Sequence, residues 1–459
     1  MTDSVSRRAF LHHASVLSLA GAATPFVMNL AAIGEAAAAT ASDYKAIVCV
    51  FLYGGNDYAN TLVPVDATSY ASYSAARPTL AHSLGSVAST TLNPAVALAG
   101  GRQFALAPGL APLMPIFNAG KMAVMLNVGT LVQPTTKAQY LAKSVPLPPK
   151  LLSHNDQQSY WQSSSPEGAA SGWGGRIGDL LQATNATTAL TCINPSGNAV
   201  FLSGKSAVQY SITPNGPIAL NASASLQGSA AAATLLKSLI TTTAGHVFET
   251  EHATVSSRAL TLYNAVTTVL AGAPVTSTVF PAATDPASSL GAQLKEVAKL
   301  ISVSSELGLK RQVFFVSTGR FDTHDGLATL HPLLMANLGD ALRAFYDTTV
   351  ELGVADKVTT FTASDFGRAL TANNDGTDHG WGSMHFVLGG AVKGAAYYGT
   401  APVIANNGPD DIGQGRLVPT TSVDQYAATL ANWFGVSATD MLTVLPNIGN
   451  YSIRNLGFV

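Results

Sequence analysis

The sequence predicts an α/β protein: a mostly parallel sheet sandwiched by helices. Three observations predict it. Two near-continuous apolar runs, Lys45 to Leu52 and Met122 to Val128, read as strands buried on both faces. From about Asp43 onward β-like and helical runs alternate. In the C-terminal half, helix and strand alternate through two crossovers, and right-handed crossovers make successive strands parallel.

Taken in order, residues 1–41 read as an export signal rather than as part of the fold. Ser6-Arg7-Arg8-Ala9-Phe10-Leu11 leads into a mildly apolar run from about Ser15 to Gly34, then into small residues from Ala36 to Ala41. A charged start, an apolar middle and an Ala-rich end make a signal peptide. The paired arginines followed by Phe-Leu look like the twin-arginine type. Pro25 and Asn29 weaken the run as a membrane span, and no later segment approaches one. The twin-arginine translocation machinery is thus an expected partner, and the expected location is periplasmic or extracellular.

Residues 42–459 form the expected mature domain. Within it, about 204–286 is rich in Ala, Ser and Thr with weak periodicity, and reads as a cap or insertion over the sheet edge. Leu290, Leu294, Val297 and Ile301 then fall at helical spacing. A strand follows at Gln312 to Ser317. Next comes a helix carrying Leu330, Leu334, Leu338, Leu342 and Phe345 along one face, and then a strand at Lys357 to Thr362. A closing helix runs to Trp433 from Ser422, a good N-cap.

Composition narrows the function. Of 459 residues 47% are hydrophobic, enough for a large core, while 11% are charged, against roughly 25% in an average soluble protein. With a net charge of −2 and no Lys/Arg-rich run, a nucleic-acid partner is excluded. The two cysteines, Cys49 and Cys192, each sit in a β-like run and read as separate buried thiols or as a pair joined in an oxidising compartment.

The chemistry gathers in loops that follow strands, where open α/β sheets bind ligands. After Gln312–Ser317 comes Gly319-Arg320-Phe321-Asp322-Thr323-His324-Asp325. In extended backbone, residues two apart face the same way. Asp322 and His324 can therefore share one ion, a carboxylate–imidazole pair suited to zinc, manganese or iron; a capped turn is the plainer reading. After Lys357–Thr362 come Asp365 and Arg368, then Asp378-His379-Gly380-Trp381. His379 as ligand with Asp378 behind it is the economical arrangement, and Arg368 suits an anionic group or an acid. After the first strand, Gly54-Gly55-Asn56-Asp57 offers another carboxylate, or simply a turn. Ser153-His154-Asn155-Asp156 opens a helix-like run through Trp161. There Ser153 is either an N-cap or a nucleophile at a helix N-terminus, beside His154. No G-x-S-x-G elbow, P-loop or G-x-G-x-x-G stands in a convincing setting.

These motifs resemble a bacterial family known as a domain of unknown function (number fifteen-oh-one), placed in the alkaline phosphatase/sulfatase-like superfamily. The resemblance rests on FLYGGNDYANTLVPVD, LLSHNDQQSYW with SGWGGRIGDL, GRFDTHD, SDFGR and GTDHGWGSMHFVLGGAVKGAAYYG, and covers nearly the whole mature chain. It implies an alkaline phosphatase-like fold and a divalent metal (zinc, manganese, magnesium or calcium) held among Asp57, Asp322, His324, Asp365 and His379, to which the residues themselves add Asp378. It also implies hydrolysis of a phosphate or sulfate ester, small or on a surface polymer, with Ser153 at the nucleophile position; His154 and Arg368 join it as catalytic candidates from the residues alone. A non-catalytic polymer- or partner-binding protein on the same fold is the alternative. The chain departs from the superfamily pattern at Phe366, where a histidine would follow the later Asp, and it lacks the Cys-x-Pro-x-Arg of sulfatases.

Overall fold

The computed structural model describes residues 43–220, 224–243, 245–282 and 289–459. The expected signal, 1–41, lies outside the described residues. Five short labels suffice for the left half of the chain: β1 (Lys45–Leu52), β2 (Met122–Gly129), α1 (His154–Ser163), β3 (Cys192–Asn194) and β4 (Gln209–Thr213). The right half adds α2 (Leu290–Ser302), β5 (Arg311–Thr318), α3 (Leu327–Glu351), β6 (Val358–Ser364), β7 (Ser383–Leu388) and α4 (Val423–Phe434).

One mixed, mostly parallel sheet runs in the order β2-β7-β6-β1-β5-β3-β4. Ala396–Tyr398 and Thr421–Ser422 pair with β2 at one edge, and Gly216–Pro217 pairs with β4 at the other. Strand β1 lies in the middle, parallel to β5 on one side and β6 on the other. Only β7 and the two-residue Gly216–Pro217 run antiparallel. The apolar run of β1 therefore has neighbours on every side, and Ala46 to Leu52 are buried throughout. Side chains alternate between the faces: Val48 and Val50 join a core with α2 and α3, while Ile47, Cys49 and Phe51 join one with α4.

The predicted crossovers are present, with one refinement. Strands β5 and β6 are parallel and joined by α3, yet β1 sits between them. Helix α4 begins where expected: Ser422 caps it and Gln425 completes a capping box. The stretch expected as a cap contributes strand β4 to the main sheet before forming two helices, Ala230–Thr241 and Val247–Leu270. Both cysteines are free and buried, on β1 and β3, with β5 between them. No helix among the described residues is long and apolar enough to cross a membrane.

Candidate metal centre

The carboxyl ends of β5, β1 and β6 lie side by side, so the loops that leave them share one rim of the sheet. The β1 loop brings Gly54, and the β5 loop brings Asp322 and His324. The β6 loop brings Asp365, then a two-stranded ribbon in which Arg368 pairs with His379. Helix α1 opens over the same rim with His154 as its first residue.

Gly54 fits these loops together. Its φ of 116° belongs to glycine, and a Cβ there would lie 2.3 Å from the backbone nitrogen of Asp322. Its N–H donates to Asp365 Oδ2 (3.1 Å) and its carbonyl accepts from Arg368 (3.1 Å).

Three imidazoles and a carboxylate converge there. His154 Nε2 is 3.1 Å from His379 Nε2, which is 2.9 Å from His324 Nε2. Asp322 Oδ1 lies 3.1 Å from His324 Nε2 and 3.3 Å from His379 Nε2, and its Oδ2 is 3.4 Å from His154 Nε2. Zinc–nitrogen bonds of about 2.0–2.1 Å in a tetrahedron place donors about 3.4 Å apart. The donor atoms of His154, Asp322 and His379 all lie within 4.8 Å of one another, a spacing that suits one ion.

The outer nitrogens decide what the inner ones offer. His379 Nδ1 donates to the carbonyl of Leu152 (2.7 Å), which can only accept. His154 Nδ1 donates to Asp365 Oδ2 (2.6 Å). In its neutral form each ring then turns the lone pair of Nε2 toward the other, a repulsive contact unless a proton or a cation lies between them. A histidine backed by a carboxylate or a carbonyl is the usual arrangement of a metal ligand. Leu152 offers its carbonyl from a left-handed backbone (φ 72°), an uncommon conformation for leucine and one that functional sites retain.

Electrostatics follow the same geometry. The hydrogen bond and charge of Asp365 raise the His154 pKa despite its burial. Burial lowers that of His379, aided by the charges of His154 and Arg368. Burial would raise the pKa of Asp322, but Arg368 outweighs it and holds the acid below the usual range. By contrast, burial pushes His331 and His385 to about 4 and about 3, so they are neutral core imidazoles.

The remaining expected residues fall as follows. Asp57 is not brought to the cluster: it is fully buried and caps the short helix Tyr58–Thr61. Arg77 Nη1 donates to both its oxygens (2.9 and 2.8 Å), and the N–H groups of Ala59 and Asn60 complete its shell. With its charge already neutralised and enclosed, it has no free oxygen to turn to the rim. Arg368 is spent as well, on Asp322 Oδ1 (2.7 Å), Gly54 O and Thr377; it orients a carboxylate, and its guanidinium is not turned out for an anion. Asp378 backs His324 (3.7 Å to Nδ1) rather than its neighbour His379. Ser153 occupies the N-cap position of α1 without a capping bond, and its hydroxyl donates instead to Asp156 (3.0 Å). Asp365 holds His154 and accepts from Gln158 (2.7 Å), while its Oδ1 is buried without a protein partner.

Nothing local in the sequence marks Arg77, Gln158 and Leu152, whose contacts are made across the fold. Phe366, the departure from the superfamily pattern, packs its ring 4.9 Å from that of His154 and 4.8 Å from that of His379. An apolar wall thus stands where another ligand was expected.

An α/β sandwich with a histidine–carboxylate cluster at the carboxyl rim of its parallel strands is the class that fold and site define. The chain belongs to the family described as "Protein of unknown function (DUF1501)", whose profile matches residues 44–443. No curated protein matches it. Among solved structures it is similar to the lipoteichoic acid synthase LtaP from Listeria monocytogenes, with 9% identity over 90% of this chain and 76% of that one (TM-score 0.33). It is similar too to the PsFucS1 sulfatase from Pseudoalteromonas sp., with 9% identity over 92% and 73% (TM-score 0.36). A third is Ps i-CgsB in complex with k-i-k-neocarrahexaose, with 10% identity over 89% and 77% (TM-score 0.36).

Proposed function

We propose that the protein is an exported, metal-dependent hydrolase of a phosphate or sulfate ester. The observation that carries this reading is the set of inward-facing Nε2 atoms whose outer nitrogens are already engaged. His154, His379 and Asp322 would hold the ion, with His324 beside them. Three nitrogens and one carboxylate favour zinc or manganese over calcium and magnesium, which prefer all-oxygen shells. A divalent cation there supplies Lewis-acid polarisation of the ester oxygen and acidifies the attacking hydroxyl or water.

The chain's own groups do the rest. Asp365 and the Leu152 carbonyl fix the two imidazoles in one tautomer, and Arg368 aims Asp322. Phe366 keeps water off one side of the rings. Ser153 is one residue from His154, and Asp156 can accept its hydroxyl proton at 3.0 Å, a nucleophile–base pair. Water is the competing nucleophile.

The test is metal analysis of the purified mature protein, then a panel of phosphate and sulfate esters with and without chelator. Stoichiometric metal and chelator-sensitive turnover are expected. Metal-free folded protein sinks the reading. A second reading, a non-catalytic binding protein with a structural ion, draws on one observation: Arg368 has no N–H turned out to an anionic substrate. Bound metal with no turnover across the panel would favour it.

A further inference from the structure

Two clefts open on the same rim as the cluster. One, beside the end of β2, is lined in part by Lys137 and Asp410. The other has a volume of about 560 Å³ and lies past the ends of β5, β3 and β4, on the side of β5 away from β1. Among the described residues, no charged side chain lines it. Its polar groups are hydroxyls and amides, among them Asn198, Ser211, Ser289 and Gln293, and Ile218 and Pro214 give it apolar patches. Thr318, the last residue of β5, also lines it, and its buried hydroxyl has no protein partner.

This lining selects by chemistry. A charged group entering it would lose water without meeting a countercharge, which is costly. A purely apolar group would leave the Thr318 hydroxyl unpaired, although Gln293 is already engaged by Ser289 and Ser317. A neutral ligand that carries many hydroxyls, each able to donate and accept, meets both demands, and its C–H faces suit the isoleucine and prolines. The cleft begins at Thr318 and Gly319, three residues before Asp322. The cleft wall is thus continuous in sequence with the loop that carries Asp322.

We propose that this cleft is a subsite for neutral carbohydrate, holding the alcohol portion of the substrate while the ester sits at the histidine cluster. The proposal deepens the hydrolase reading and rests on it for the position of the ester. The substrate class is then an ester carried on a neutral sugar chain.

Gly319 gives a clean test. It has an ordinary backbone conformation, and a Cβ on it would meet nothing within 4 Å, so Gly319→Trp adds a bulky side chain at the cleft wall without a clash at its Cβ. Metal-loaded mature protein is titrated with neutral hexasaccharides (maltohexaose, cellohexaose and chitohexaose), with binding read by saturation-transfer NMR. At least one should bind at millimolar concentration. Gly319→Trp and Asn198→Ala should each weaken it by about tenfold or more, about 1.4 kcal/mol, with unchanged melting temperature. Chelator should leave sugar binding intact, because no metal donor among the described residues lines the cleft. Absence of binding across the set, or binding that both variants leave undiminished, overturns the subsite. Metal content, measured on the same samples, separates its failure from that of the hydrolase reading: metal-free protein that still binds sugar keeps the subsite and loses the enzyme.

Discussion

Asp57 and Asp322 follow neighbouring strands, β1 and β5, and each is bonded to one arginine, yet they have opposite fates. Around Asp57 the chain closed every option: Arg77 spans both oxygens, two N–H groups fill the remainder, and no water reaches the pair. Around Asp322 it did not. Arg368 takes Oδ1, the side chain stays 43% exposed, and three imidazoles press in from separate loops. Lying past a strand end is therefore not what makes a ligand. What decides is whether local donors have already neutralised the carboxylate. Asp424 completes the contrast: fully buried and held chiefly by backbone and hydroxyl contacts, it is pushed up by burial to about 6, whereas Arg77 overcomes the same burial at Asp57 and holds that pKa down.

The comparison can be broken at several points. Arg77→Ala strands a buried charge and should lower the unfolding free energy by about 3–5 kcal/mol in urea denaturation; a normal midpoint would mean Asp57 is not closed off as described. His379→Ala should leave the fold largely intact while stoichiometric metal is lost and ester turnover falls by about a hundredfold or more, about 2.7 kcal/mol. Unchanged metal content in that variant would dissolve the cluster as a site. Asp365→Asn keeps the shape but weakens the support of His154, and metal affinity should drop about 10- to 100-fold, measured by competition with a chromogenic chelator.

The last effect is one of pH. Asp424 has a raised folded pKa, so the folded state binds the extra proton, and stability should fall as pH rises from about 4 to about 6, by at most about 1.4 kcal/mol per unit. Asp57 has a lowered pKa, so its contribution is present above its unfolded value of 3.8 and is lost as pH falls. Asp424→Asn should flatten the first window alone; a curve parallel to the parent's through that window would show that Asp424 is not the group titrating.

Much of the architecture was legible because it follows from periodicity. The run of β1, the leucine stripe of α3 and the Ser422 cap each carry their structure in local spacing. The centre was legible in part: Asp322, His324 and His379 stood out as imidazoles and acids in Gly-rich loops. Asp57 stood out for the same reason and differs only through Arg77, twenty residues on, a partner that no spacing announces. The role of His154 within SHND likewise turned on a contact across the fold. His154 faces inward because Asp365, 211 residues away, holds its outer nitrogen. Ser153 looked like a cap because of its position, but the hydroxyl found Asp156.

His154 and His379 are separated by 225 residues, and their nitrogens meet only once the sheet has closed. An unfolded chain offers at most Asp322 and His324 from a single loop. On the proposed reading, ion capture would be coupled to folding of the sheet, and the pool surrounding the chain at that moment would supply the ion. Were the chain exported folded, as its N-terminal sequence leads one to expect, that pool would be the cytoplasm's, whatever ions are abundant where the protein finally works.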